Sequence, residues 1–120
     1  MIGFFRSSDG NAALEFGILF PVFLMMVMLI VQCGELLYAV DTVNFAVEEA
    51  ARCAAIDKNN CGTATQVQTY AHARSMNLVP AASFGVTLTA PPCVAANLAF
   101  PIMPWFAPST VNFGFRSCHA

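Results

Sequence analysis

Between Glu15 and Glu35 the chain carries 19 consecutive residues without a charge, FGILFPVFLMMVMLIVQCG, from Phe16 to Gly34. In lipid the backbone N–H and C=O groups of a single span must all be satisfied within the segment, and a helix does this. As an α-helix the run covers about 28 Å, close to the ~30 Å hydrocarbon core of a bilayer. No polar face recurs along it, which sets it apart from the amphipathic helix of a soluble domain. It is also longer than the apolar core of a secretory signal, about 7–15 residues, and no small-x-small cleavage site closes it. The run predicts a transmembrane helix.

The rest of the composition is consistent with a chain only partly meant for water: 58% of its 120 residues are hydrophobic and 10% charged, and the length allows one further domain. A net charge of −2 with five scattered basic residues leaves no electrostatic footprint for nucleic acid. Arg6 and the starting amine precede the run, whereas Asp41, Glu48 and Glu49 follow it with Arg52 opposing them. Positive flanks stay cytoplasmic, so the N-terminus is expected inside and everything after about Tyr38 outside. Cysteine usage agrees. Cys33 lies in the run, and Cys53, Cys61, Cys93 and Cys118 all follow it, an even set that points to two disulfides in an oxidising compartment. A metal site is disfavoured, because no C-x-x-C or H-x-x-x-H spacing occurs.

Residues 1–10, MIGFFRSSDG, read as a leader ending in the turn-forming Ser-Ser-Asp-Gly. Residues 11–38 read as the transmembrane helix and 39–120 as an exported domain. The helical period continues beyond the membrane: Val40, Val43, Val47, Ala50, Ala51 and Ala54 recur at three- and four-residue spacing, with Asp41, Asn44, Glu48 and Arg52 on other sides. One helix over about 12–56 would be roughly 65 Å long. It should stop at Asp57-Lys58-Asn59-Asn60-Cys61-Gly62. Thr63 and Gln66 then fit a capping box opening a second helix, with Val67, Tyr70, Ala71 and Leu78 on one face, ending by Pro80.

After Pro80 the period changes to two. Phe84, Val86 and Leu88, then Val94, Ala96, Leu98 and Phe100, then Val111, Phe113 and Phe115 alternate with smaller or polar residues, which predicts three antiparallel strands. Their apolar face needs the two helices as cover. The expected fold is therefore α+β and membrane-anchored: a long N-terminal helix leading into a small exported domain of roughly 80 residues, marginal in core size and dependent on its disulfides. Strand parity selects the connectivity. If Phe100 faces Val111, Leu98 faces Phe113 and Ala96 faces Phe115, every apolar side chain lands on one face, and Cys93 falls opposite Cys118 on the other. Cys53, at the helix end, is left to close on Cys61 across the turn, with Cys33 a free thiol or packing residue.

At the leader boundary the chain reads Gly10-Asn11-Ala12-Ala13-Leu14-Glu15-Phe16 and then turns apolar. Gly, four residues, Glu, an aromatic and a membrane helix resemble the processing site of type IVb pilins and pseudopilins. Pro21 and the segment Glu35 … Ala50-Ala51-Arg52-Cys53-Ala54-Ala55, followed by a strand domain, extend the resemblance to the TadE-like family of tight-adherence (Flp) pilus systems, pilin-like in fold. Major Flp-type pilins have almost nothing after the helix, so the residues beyond it point to a minor pseudopilin. The leader departs from the pattern in having a single Arg6 opposed by Asp9.

The resemblance implies cleavage by a prepilin peptidase between Gly10 and Asn11, where a small residue in unwound backbone is needed. Asn11 becomes the new terminus and Glu15 the fifth residue. A carboxylate at the lipid edge is costly unless paired, and the free terminal amine of its own or a neighbouring subunit would register subunits through Glu15. The implied partners are membrane lipid, the prepilin peptidase, other pilins and pseudopilins and the pilus assembly platform. The implied location is the bacterial inner membrane, single-pass, N-terminus cytoplasmic and domain periplasmic, with the surface pilus as a further destination. No cofactor is implied.

The remaining candidates read more plainly. Glu35 marks where the helix leaves lipid, with pairing to a partner subunit as the lesser reading. His72 and His119 have no carboxylate or Cys arranged as catalytic partners, and Met25, Met26 and Met28 read as lipid-facing or helix-packing residues. Trp105 and Phe106, between Pro104 and Pro108, either pack back onto the domain or form a partner-binding patch. No nucleophile, base and oxyanion set and no phosphate loop is present, so an enzyme is not expected. The alternative function is an unprocessed, membrane-anchored periplasmic binding module.

Overall fold

The computed structural model describes residues 8–102 and 109–120. Trp105 and Phe106 lie outside the described residues. Helix α1 spans Ser8–Ile56, and its residues divide between two compact units at Gly34 and Glu35. In the first unit every side chain from Ala12 to Val31 is exposed, including Phe16, Phe23, Met26 and Ile30 at 61–66%. Phe16 and Phe20, one turn apart, stack at 5.4 Å between ring centroids. Ser8–Gly10, expected to form a turn, are already helical.

The second unit contains α1 from Glu35 onward, α2 (Ala64–Arg74), a short 3-10 turn at Ala81–Ser83, and strands β1 (Phe84–Thr87), β2 (Cys93–Ile102) and β3 (Ser109–Cys118). The strands form an antiparallel sheet in the order β1-β2-β3. The α+β expectation holds. On α1, Ala39, Val43, Ala46, Val47, Ala50, Ala51 and Ala54 are buried while Asp41, Asn44, Glu48 and Arg52 are exposed, the division that the three-and-four spacing predicts. Five of those seven are alanines, whose small side chains let the helix backbone approach its neighbours. The core continues through Val67 and Ala71 of α2, Val79, Phe84 of β1, and Val94, Ala96 and Leu98 of β2. Each fully buried Val or Phe there contributes about 1.5–3 kcal/mol. The outer strand β3 offers Phe113 and Phe115, only partly buried.

Helix α1 stops in a turn built on Asp57. Its carboxylate accepts the Asn60 side-chain amide at 2.7 Å and the backbone N–H groups of Asn59 and Asn60 at 3.0 and 3.2 Å. These bonds, the Asn60 side chain first, hold the Asp57 carboxyl below its ordinary pKa. A lowered carboxylate pKa stabilises the turn above the unfolded value, and that stabilisation is lost as pH falls through the folded one. Gly62 passes so close to the Lys58 carbonyl that a Cβ there would overlap its oxygen. The Cys53–Cys61 disulfide closes this turn across a Cα separation of 5.8 Å, and Cys61 is fully buried.

The capping box is present as expected. The Gln66 N–H donates to Thr63 Oγ1 at 3.4 Å, and Gln66 Oε1 accepts the N–H groups of Gly62 and Thr63, both at 3.2 Å. The far end of α2 differs from expectation. The helix ends at Arg74, and Met76 and Asn77 take left-handed backbone at φ 51 and 63°. Leu78 is therefore off the helix face and 40% exposed, and Val79 enters the core in its place. Ser75 Oγ donates to the His72 carbonyl at 2.9 Å, and His72 Nδ1–H donates to the Val79 carbonyl at 2.8 Å, so local bonds hold the reversal. His72 has a packing role here. Strand β1 ends at Thr87, leaving Leu88 outside it and exposed.

The β2–β3 register is the one that side-chain parity selects: Phe100 faces Val111, Leu98 faces Phe113, Ala96 faces Phe115 and Cys93 faces Cys118. The His119 N–H donates to the Pro92 carbonyl at 3.1 Å. Cys93 and Cys118 accordingly form the adjacent close pair, with Cα atoms 4.1 Å apart, and are disulfide-bonded. Cys33 is free and exposed. The two bridges close sequence separations of 8 and 25 residues. Loop entropy assigns them about 2.5 and 3.5 kcal/mol, large against the ~5–15 kcal/mol of a whole domain. Replacing Cys93 and Cys118 together by Ala is expected to lower the unfolding free energy of the detergent-solubilised chain by about 3 kcal/mol. A urea titration indistinguishable from wild type would show that the β2–β3 ladder needs no cross-link.

Candidate functional site

The candidate site is the start of α1 with the uncharged run behind it. Gly10, Glu15 and Phe16 lie on one continuous helix and are all exposed. A Cβ added at Gly10, Gly17 or Gly34 meets nothing within 4 Å. Nothing among the described residues therefore demands glycine at residue 10, and a requirement for a small residue there would come from a molecule that binds it. Asn11 follows Gly10 within the helix.

Glu15 sits one residue before the run, and no side-chain hydrogen bond satisfies its carboxylate among the described residues. A charged group at a lipid boundary either reaches toward water or pairs with a cation. Between Phe16 and Gly34 the helix carries no other charge. Pro21 lies inside α1 and has no N–H to give to the Gly17 carbonyl, one turn earlier, so that oxygen is left without its helical donor. Both features, a lone carboxylate and a carbonyl short of a donor, are polar positions on the otherwise apolar stretch from Ala12 to Val31.

The carboxylates after the run are arranged differently. Glu35, Asp41 and Glu48 are exposed, and Glu49 accepts the Tyr70 hydroxyl at 3.4 Å, joining α1 to α2. Arg74 lies 5.2 Å from the Tyr70 ring centroid, within range of a cation–π contact. Gln68 Nε2 donates to the Phe84 carbonyl at 2.8 Å and fixes α2 on β1. These polar contacts hold the second unit together. Sequence reading did not single out Tyr38, whose hydroxyl donates to Met76 Sδ at 2.9 Å, nor the exposure of Leu37 beside it. An aromatic residue just beyond an apolar run was the available signal for Tyr38. None was available for Met76, whose position depends on the left-handed turn.

Among the described residues α1 is the one helix long and apolar enough to cross a membrane. The sequence model of the family described as TadE-like protein matches residues 10–52. The match starts at Gly10, takes in Glu15, Phe16 and the whole uncharged run, and stops before Cys53 and the strands. No curated protein and no solved structure matches the chain. Over residues 10–52, about a third of its length, the chain is similar to TadE-like proteins.

Proposed function

We propose that the chain is a minor pseudopilin of a tight-adherence pilus system: a single-pass inner-membrane subunit, cleaved by a prepilin peptidase after Gly10, with its disulfide-bonded unit in the periplasm. One observation carries most of this reading. The TadE-like segment includes a helical stretch whose apolar side chains are exposed on every side from Ala12 to Val31, and the one carboxylate within that stretch, Glu15, stands near its leading edge. Such a helix needs lipid or other apolar helices around it. The carboxylate needs a cation, and a new amine at Asn11 supplies one, on the same chain or on a neighbour. Partners on this reading are the peptidase, other pilins and pseudopilins, and the assembly platform. The two disulfides support an oxidising compartment for the second unit.

The helical state of Ser8–Gly10 favours the second reading, an unprocessed membrane-anchored module whose leader simply begins the helix. Under the pseudopilin reading the peptidase unwinds this turn, and Gly10 is the residue at which unwinding costs least. N-terminal sequencing of the chain purified from membranes separates the two. Asn11 is the terminus expected for the pseudopilin, Met1 for the module.

Two substitutions extend the test. Gly10→Leu is expected to leave a precursor about ten residues longer while helix content stays unchanged, because a side chain at residue 10 meets open space. Normal processing of Gly10→Leu would remove the cleavage claim. Glu15→Ala is expected to permit cleavage yet deplete co-purifying subunits, since breaking a charge pair in a poorly solvated setting costs on the order of 3–5 kcal/mol. Undiminished co-purification with Glu15→Ala would remove the registry role.

A further inference from the structure

The second unit leaves Leu37 69%, Tyr38 56%, Met76 66% and Leu78 40% exposed. One contact ties the two pairs together, the Tyr38 hydroxyl on the Met76 sulfur at 2.9 Å. Tyr38 is four residues beyond Gly34, the last residue of the uncharged run. Four residues reach no more than about 14 Å even when fully extended. Side chains on an α-helix also lean toward its N-terminal end, here toward the run. The turn carrying Met76 and Leu78 is thus held close to where the uncharged run ends.

The turn itself is unusual. Left-handed backbone is uncommon outside Gly, Asn and Asp, and here Met76 adopts it at φ 51° beside Asn77 at 63°. It is held there by the Leu78 N–H on the Ser75 carbonyl at 3.0 Å, by Ser75 Oγ on the His72 carbonyl and by His72 Nδ1 on the Val79 carbonyl. Costly local conformations persist where the surroundings enforce them, and this one presents two large apolar side chains outward. No charge lies among Leu37, Tyr38, Met76, Asn77 and Leu78; the nearest in sequence are Glu35, Asp41 and Arg74.

From this we infer that Leu37, Tyr38 and the Met76–Leu78 turn form a lipid-contacting foot, which seats the second unit in the headgroup and upper acyl layer of the outer leaflet. The inference rests on the membrane-spanning reading of α1. We choose phospholipid over a second protein because Tyr38, which touches Met76, lies only four residues beyond the run, within reach of the bilayer surface. A tyrosine beside exposed Met and Leu side chains also matches the chemistry of that layer.

The test places p-benzoyl-phenylalanine at residue 76, at residue 58 or at residue 25 of the full chain, reconstituted in vesicles of dioleoyl phosphatidylethanolamine and dioleoyl phosphatidylglycerol. Met76, Lys58 and Met25 are all exposed, so each position accepts the probe. After illumination, a mass gain of one phospholipid is expected on peptides carrying positions 76 and 25 and none on the peptide carrying 58. Lipid adducts at 25 but not at 76, or equal yields at 76 and 58, would overturn the foot and leave the span intact. Cross-linking of position 76 to a second copy of the chain in place of lipid would overturn it as well. Absence of lipid at 25 would overturn the span and the foot together. Should the position-76 variant fail to fold, the probe at exposed Leu78 replaces it with the same outcomes.

Discussion

A run of 19 residues without a charge dictates the solvent in which this chain can exist. In water the side chains from Ala12 to Val31, exposed all round the helix, would present an apolar surface far beyond what soluble proteins tolerate. In lipid the same surface is neutral and the helix satisfies its own backbone. The few polar positions on that helix then become the informative ones. Glu15 stands alone at its edge, and the Gly17 carbonyl loses its donor to Pro21.

The second unit answers a different demand. A domain of this size has little apolar volume, and much of what α1 contributes is alanine. Alanines allow close packing, but each removes little area from water. Two disulfides supplement that core. Cys53–Cys61 pins the end of α1 to the turn organised by Asp57, and Cys93–Cys118 locks one end of the β2–β3 ladder. Helix α2 is held by its capping box at one end, by Gln68 on β1 along its length, and by the His72–Val79 and Ser75–His72 bonds at the other.

Much of this was legible in the sequence because it depends on period and parity. A two-residue alternation excludes every odd slip that would part Leu98, Phe100, Val111 and Phe113, and the allowed register that pairs Phe100 with Val111 also sets Cys93 against Cys118. Thr63 and Gln66 carried the start of α2 in their own side chains. The end of α2 was illegible for the opposite reason. No Gly stands there, and the reversal at Met76 and Asn77 is enforced by bonds that reach from His72 to Val79. Leu78, one turn beyond Arg74, continued the apolar period although the helix had ended. At the leader, Ser-Ser-Asp-Gly has turn chemistry in isolation, but it directly precedes a long, strongly helical segment, and propagation of an existing helix costs much less than starting one. Of the candidate site, the spacing of Gly10, Glu15 and Phe16 was visible. Exposure of that whole face, and the link between Tyr38 and Met76, required coordinates.

The proposal centres on α1 crossing the inner membrane with the second unit outside. Protease accessibility of an epitope placed after Ala120 tests this most directly, comparing intact spheroplasts with inverted membrane vesicles. The proposed orientation predicts loss of the epitope when protease is added to spheroplasts, protection in inverted vesicles, and retention of the chain in membranes after an alkaline wash. Protection in spheroplasts with digestion in inverted vesicles, or release of the chain by the wash, would contradict it.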